Sequence, residues 1–324
     1  MKQGLSEWIR VPLIVARGIN NGYESIIQMN RPTLGLTAAV HGNELNGVFC
    51  IHRLMAEIDC ENLNGTIVAI PCVNVPGYLA YTREFIDKRD LNREFPGNEM
   101  GMPSQIYAYH LMTKIVSHLN VLIDLHTASF GRMNSFYVRA NLHDEAVSHV
   151  NNSLAFFKMA KLMCPQIILH NNGQDGTLRE AASTRGVKVI TVEIGNPQTI
   201  QKTYTSWCYS GLLNILHYFG MRSHPGKDLN HQPIICSHGY WMYTRTGGVL
   251  EVYPKVSVFV DKGELIATIR DIFGNIVDEY YAPCKSIIIG KSSNPVAMSG
   301  DRIAHIGFIH DKNQPFPLFA KEEY

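Results

Sequence analysis

Four short motifs hold side chains able to do chemistry. The first is His41-Gly42-Asn43-Glu44. An imidazole on a strand–helix turn and a carboxylate in the first helical turn can reach one metal ion, since both are ordinary metal ligands. The same pair has a plainer reading, in which His41 caps the turn and Glu44 favours the positive end of the helix. The second motif is Asp124-Leu125-His126-Thr127. Residues two apart on a strand face the same way, so Asp124 and His126 share a face. His126 could complete a two-His, one-carboxylate set that leaves a position open for water, as catalytic zinc requires. Alternatively it bonds a neighbouring backbone group. The third is Arg89-Asp90-Leu91-Asn92-Arg93, just before Pro96-Gly97. Asn and Arg together on a loop can hold a carboxylate, the Arg by a bidentate pair, although a mixed charge run is usually a solvated loop. The fourth is Glu193 in Val192-Glu193-Ile194-Gly195. A carboxylate closing a buried strand loses hydration, its pKa rises, and it suits general-base work. A strand-end Glu that reaches solvent does not.

These motifs stand at the ends of predicted elements. Residues 34–40 read as a buried strand, and a helix follows with apolar residues at three- and four-residue spacing from Leu45. Residues 66–73 form a second β-branched run, 104–118 a helix and 119–125 a strand. Residues 143–163 read as a long helix, 166–169 as a short strand and 177–185 as a short helix. A buried strand over 187–194 and a helix over 199–220 complete the series. Continuous apolar strands alternating with helices predict an α/β domain with a mostly parallel sheet. In such sheets ligands bind beyond the C-terminal strand ends.

The pattern changes near residue 222. Residues 222–233 are polar and contain Pro and Gly, which suits a linker. Short β-like runs then follow at 241–243, 249–252, 256–260 and 265–269, which predict a small all-β domain. The expected units are 1–225 and 226–324. A weak repeat relates 256–269 (VSVFVDKGELIATI) to 294–307 (NPVAMSGDRIAHIG), with Gly263-Glu264 in one turn and Gly300-Asp301 in the other. Such halves resemble the barrel-sandwich shape of biotinyl and lipoyl domains. The turn between them reads Arg270-Asp271-Ile272-Phe273-Gly274-Asn275 and lacks their attachment Lys, so a carrier role is not expected.

Composition narrows the field further. The chain has 324 residues, 45% hydrophobic and 18% charged. That is enough to bury a sizeable core and excludes a disordered or collagen-like chain. Lys and Arg total 29 against 28 Asp and Glu, a net charge of +1. This balance gives no electrostatic reason to expect nucleic acid or a membrane as partner. Seven scattered Cys with no CxxC fit free thiols in a reducing compartment. Residues 1–30 lack the apolar core of a signal peptide. The uncharged stretch 203–221 is interrupted by Thr, Ser, Asn and His, as a buried helix would be. A cytoplasmic protein is expected.

In order, HGNE, DLNR, DLHT and VEIG resemble the succinylglutamate desuccinylase/aspartoacylase family, over roughly residues 10–310. These are zinc amidohydrolases on the zinc-carboxypeptidase fold. The resemblance implies a zinc-carboxypeptidase-like α/β domain with a mixed, mostly parallel sheet, plus a small barrel-sandwich-like β domain capping the site. It implies one Zn2+ per chain, with His41, Glu44 and His126 as ligands. It implies Glu193 as the carboxylate that activates water, and Asn92 and Arg93 as the grip on a substrate α-carboxylate. Asp90, and with it Asp124, are the carboxylates that orient the ligand imidazoles. The family's oxyanion-stabilising Arg is matched by Arg83, at slightly longer spacing to DLNR than in familiar members, with Arg89 as the alternative. Arg179 resembles an Arg that contacts the second carboxylate of acidic substrates, again at longer spacing to Glu193.

The leading expectation is therefore zinc-dependent hydrolysis of a small N-acyl amino acid. A metallocarboxypeptidase-like enzyme acting on short peptides would use the same core site. A non-catalytic metal-binding or scaffold protein would need a missing ligand or base, and none is missing. The acyl group, the amino acid and any homo-oligomer stay open.

Overall fold

The computed structural model describes residues 2–3, 7–19, 31–142, 153–173, 176–227, 229, 232–314 and 316. β1 (Lys2–Gln3) and β2 (Glu7–Trp8) form a short antiparallel ribbon. Then come β3 (Ile14–Arg17), β4 (Thr33–Ala38), β5 (Thr66–Ile70), β6 (Val121–His126), β7 (Arg132–Asn134), β8 (Phe136–Ala140), β9 (Ile167–His170) and β10 (Lys188–Ile194). After residue 226 follow β11 (Ile234–Tyr243), β12 (Gly248–Val252), β13 (Phe259–Val260), β14 (Leu265–Arg270), β15 (Ile276–Tyr281), β16 (Ser286–Ser292), β17 (Val296–Ala297) and β18 (Arg302–Ile309). The helices are α1 (Asn46–Glu57), α2 (Val75–Leu79), α3 (Pro103–Lys114), α4 (Ser153–Leu162), α5 (Leu178–Ser183) and α6 (Lys202–Tyr218).

Twelve strands join one sheet in the order β13-β16-β18-β11-β9-β8-β10-β6-β4-β5-β3, with β7 paired to β16. The run β10-β6-β4-β5 is parallel. β8 runs antiparallel to β10 and parallel to β9, so the sheet is mixed. Side chains alternate between faces along each strand, and helices cover both. On one face α1, α4 and α6 bring Ile51, Met159 and Leu212 against Leu36, Ile123 and Ile190. On the other, α3 and α5 bring Leu111 and Ala181 against Leu122 and Val189.

Several predicted bounds shift for local reasons. The strand expected over 66–73 stops at Ile70, because Pro71 has no N–H to continue the ladder. The helix expected over 104–118 breaks at Ile115 (φ −128, ψ −63) and ends in a 3-10 turn at Val116–His118. Of the run 256–260, only Phe259–Val260 is strand. Residues 143–152 of the predicted helix 143–163 lie outside the described residues, as do 228, 230 and 231 of the predicted linker. β3, β7, β8, β15 and β16 have no counterpart among the predicted strands. Polar residues such as Arg139 in β8 and Asp278-Glu279 in β15 hide their apolar pattern.

Beyond residue 226 the chain builds two layers. β11, β18, β16 and β13 extend the long sheet, and β15-β14-β12-β17 form a second one. Leu250, Ile266, Ile269, Ile288 and Ile303 fill the space between them. The repeat has a structural counterpart here. Gly263 (φ +82) precedes β14 and Gly300 (φ +88) precedes β18. Each turn carries the chain from one sheet to the other, and positive φ suits Gly at both. β11 pairs in parallel with β9 (Ile234 with Ile167), so this region continues the α/β sheet. All seven Cys are free thiols. Among the described residues no helix is long and apolar enough to cross a membrane.

Candidate active site

Strand register brings the motifs together. Thr37 pairs with Asp124 across β4 and β6, Asp124 with Thr191 across β6 and β10, and His126 with Glu193. The three strands therefore end side by side and deliver His41, His126 and Glu193 to the crevice beyond their C-termini. The chain leaves β4 through Ala39 at φ +50, a costly conformation for a residue with a Cβ. It then lies against α2 so closely that a Cβ on Gly42 would sit 2.0 Å from the Gly77 carbonyl carbon.

His41, Glu44 and His126 are all buried, with one ligand atom of each within 4.8 Å of the others. His41 Nδ1 lies 3.0 Å from Glu44 Oε1, and His126 Nδ1 lies 2.9 Å from Glu44 Oε2. On the far side of each ring, His41 Nε2 meets Asp90 Oδ1 at 3.0 Å and His126 Nε2 meets Asp124 Oδ2 at 2.9 Å. Thr37 Oγ1 donates to the other Asp124 oxygen at 2.7 Å. With Nε2–H given to a carboxylate, Nδ1 of each ring is the atom that faces Glu44 and would meet a bound cation. His41 Nδ1 is buried and has no hydrogen-bond partner among the described residues, a costly state that a cation would relieve. Two imidazoles and one carboxylate are a zinc donor set, so these residues fit a zinc ion. The electrostatics agree. Burial opposes charge on Glu44, but His41 and His126 outweigh it and hold the carboxyl well below its ordinary range. Burial likewise opposes a charged His126, but Asp124 and Glu44 hold it well above the ordinary histidine range. The cluster is built to hold positive charge.

Around this centre the predicted residues divide. Arg83 lines the cleft and ties two carboxylates together. Its Nη1 donates to Glu44 Oε1 at 3.0 Å, and its Nε and Nη2 donate to Asp90 Oδ2 at 3.1 and 2.9 Å. Arg89 does not line the cleft; it is half-exposed and donates to Glu94 at 2.7 Å. Asn92 and Arg93 both line it. Asn92 Oδ1 accepts from Leu178 N at 2.8 Å, and Arg93 Nη1 donates to the Asn92 carbonyl at 2.8 Å. Arg179 also lines the cleft, buried, with Nη1 on the Asn171 carbonyl at 3.0 Å. Glu193 accepts from Asn134 Nδ2 at 3.3 Å and lies 3.8 Å from Arg139. Enclosure by protein raises its pKa, against the opposing pull of His126 and Arg139.

Other lining residues are absent from the predicted set: Ser129, Arg132, Asn134, Arg139, Trp241 and Arg302. Ser129 Oγ donates to Glu44 Oε1 at 2.7 Å. Burial, aided by Arg302 and Arg83, pushes Arg132 down to about 10. Arg302 stacks over the Trp241 ring at 4.5 Å. No spacing marks these positions. Arg132 reaches the cleft from β7 beside β16, and Trp241 and Arg302 from the β11–β18 pair.

Comparisons with known proteins agree with this geometry. The model of the succinylglutamate desuccinylase/aspartoacylase catalytic domain matches residues 30–219. An N-alpha-acetyl-L-2,4-diaminobutyric acid deacetylase of Halomonas elongata is 24% identical over 287 residues, 85% of this chain and 82% of that protein. A succinylglutamate desuccinylase/aspartoacylase structure from Rhodobacter sphaeroides has a TM-score of 0.79 at 21% identity, covering 93% of this chain and 90% of that one. The product-bound ectoine utilization protein EutE (DoeB) from Ruegeria pomeroyi has a TM-score of 0.78 at 22% identity, covering 92% and 88%. These structures share the fold. The domain match spans more than half of the chain and contains all four motifs, so the chain belongs to the succinylglutamate desuccinylase/aspartoacylase family.

Proposed function

We propose that the protein is a zinc-dependent amidohydrolase, with one zinc per chain, that cleaves the amide bond of a small N-acyl amino acid. The observation that carries this reading is a buried His41–Glu44–His126 cluster in one cleft with Glu193 and Arg93. Bound by that cluster, zinc supplies a Lewis acid that acidifies water and polarises a carbonyl. Glu193 takes the proton from water and returns it to the leaving nitrogen, and its raised pKa suits both directions. Arg93 and Asn92 hold the α-carboxylate. Arg83, beside the ligand carboxylate, meets negative charge that develops on the amide oxygen. Asp90 and Asp124 keep the two imidazoles in orientation. Amide plus water gives a carboxylic acid and an amino acid with a free amine. The free thiols support a cytoplasmic setting.

A small substrate is favoured over a peptide because the charged cleft, which Trp241 and Arg302 help to line, has a free volume of only about 100 Å3. The test is a screen of N-acetyl amino acids with added zinc, including the diaminobutyrate derivative for which the Halomonas relative is named. Hydrolysis is expected, and Glu193→Gln should lower kcat by about 10²–10⁴-fold with bound metal unchanged. Cleavage of short peptides without any of these substrates would select the carboxypeptidase-like reading. Unchanged hydrolysis in Glu193→Gln would remove Glu193 as the base.

A further inference from the structure

A second cavity lies beside the charged cleft, and Thr127 lines both. It encloses about 500 Å3, against about 100 Å3 in the cleft. Its inner wall is built from residues interleaved with the metal-ligand candidates: Gly42, Asn43 and Leu45 around His41 and Glu44, and Thr127 after His126. The rest of its lining is mainly apolar, with Tyr78, Leu79, Tyr81, Phe130 and Ile200, beside the uncharged polar Asn196, Gln198 and Thr199. Among the described residues no charged side chain lines it, whereas six arginines line the cleft. Asn43 is 8% exposed, lines this cavity, and its Oδ1 has no hydrogen-bond partner among the described residues. An apolar chain brings no donor to it, so the oxygen calls for a water retained beside the chain.

We propose that this cavity receives the acyl chain of the substrate, so that the enzyme prefers a medium-length or bulky apolar acyl group to acetyl. The inference rests on the N-acyl amino acid reading above. The two halves of such a substrate diverge from the scissile bond. Asn92 and Arg93 take the carboxylate on the charged side, and neither lines the apolar cavity. The acyl chain then passes Thr127 into the cavity, whose lining is uncharged and whose free volume exceeds that of the cleft. Hydrolysis places the water oxygen on the acyl carbon and a proton on the nitrogen, releasing an apolar carboxylic acid and the free amino acid.

The test uses the amino acid released fastest in the acetyl screen, presented as its N-acetyl, N-butanoyl, N-hexanoyl and N-benzoyl derivatives. Burying each added methylene should raise kcat/KM about fourfold, so the hexanoyl substrate, with four more methylenes, should exceed the acetyl one by ~10-fold if only two are buried and by up to about 250-fold if all four are. Ile200→Trp narrows the cavity and should cut the hexanoyl-to-acetyl ratio about fivefold or more. Calorimetry on the Glu193→Gln protein should give the same order of affinities, with a more negative heat-capacity change for the longer chains. A flat or falling series overturns the acyl pocket and leaves the deacylase reading standing. No hydrolysis of any N-acyl amino acid overturns both. A rising series that Ile200→Trp does not change places the acyl chain elsewhere. Leu79 and Tyr81 are 70% and 79% exposed at the rim. A flat series together with a dimer that Leu79→Glu dissociates in sedimentation would assign this surface to a second copy of the chain.

Discussion

Glu193 carries the proton economy of the proposed reaction, and its surroundings fix the acidic limb of the pH profile. The carboxyl must be ionised to accept a proton. Enclosure raises its pKa, so activity is lost as pH falls through a value above the ordinary Glu range of about 4.3. Arg139 lies 3.8 Å away and pulls in the opposite direction. Arg139→Met should therefore move the acidic limb of kcat/KM to higher pH; an unmoved limb would assign it to another group. In the proposed reaction Arg93 acts in binding. Removing a charge-assisted bond to a substrate carboxylate costs about 1.5–3 kcal/mol. Arg93→Ala should thus raise KM roughly 10–100-fold, and Arg93→Lys should restore only part, because an ammonium cannot make the bidentate pair. That His41, Glu44, Arg93, His126 and Glu193 meet at one cleft, with Asp90 on His41, was legible in the sequence because each sits in a contiguous motif at one strand end or on one loop. Arg132, Arg139, Trp241 and Arg302 were not. Their place at the cleft depends on pairings between strands far apart in the chain, for which no local pattern exists.

At the scale of elements, the site depends on how closely the β4–α1 turn approaches its neighbours. A Cβ on Gly42 would enter the Gly77–Tyr78 backbone, and a Cβ on Gly47 would lie 2.6 Å from Leu125 Cβ. Neither obstacle is the flexible end of a side chain. Gly42→Ala should therefore cost about 1–3 kcal/mol of stability, read in thermal or denaturant unfolding. It should also weaken metal binding, because His41 and Glu44 flank the displaced residue. A variant with full metal affinity and an unchanged midpoint would mean that the loop and α2 adapt freely. The strands that end at the site, β4, β6 and β10, were legible because they are buried on both faces and read as continuous apolar runs. Their lateral order was not, since a parallel neighbour leaves no mark on local periodicity. The insertion of antiparallel β8 between β10 and β9 was equally hidden.

For the whole molecule, the change of pattern near residue 222 predicts two units, yet the sheet runs through that position. Ile234–Cys236 pair with Ile167–Leu169, and one buried cluster joins Tyr137, Ile167 and Leu169 to Cys236, Ile287 and Ile289. Removing residues 226–324 would leave the β9 edge unpaired and uncover three of those side chains. Each fully buried aliphatic or aromatic side chain contributes about 1.5–3 kcal/mol. The loss therefore approaches the 5–15 kcal/mol that typically separates folded from unfolded protein, and a bare apolar edge also invites aggregation. A chain ending at residue 225 should consequently be aggregated, or fail to unfold cooperatively, in size-exclusion and denaturant measurements. The double variant Trp241→Ala/Arg302→Ala, which keeps the sheet but opens the cleft, should stay folded and bind its substrate more weakly. If the truncated chain is monomeric and unfolds cooperatively, the C-terminal region is a separable cap. If only the double variant folds, the region completes the sheet first and shapes the cleft second, which is the order that the strand pairing supports.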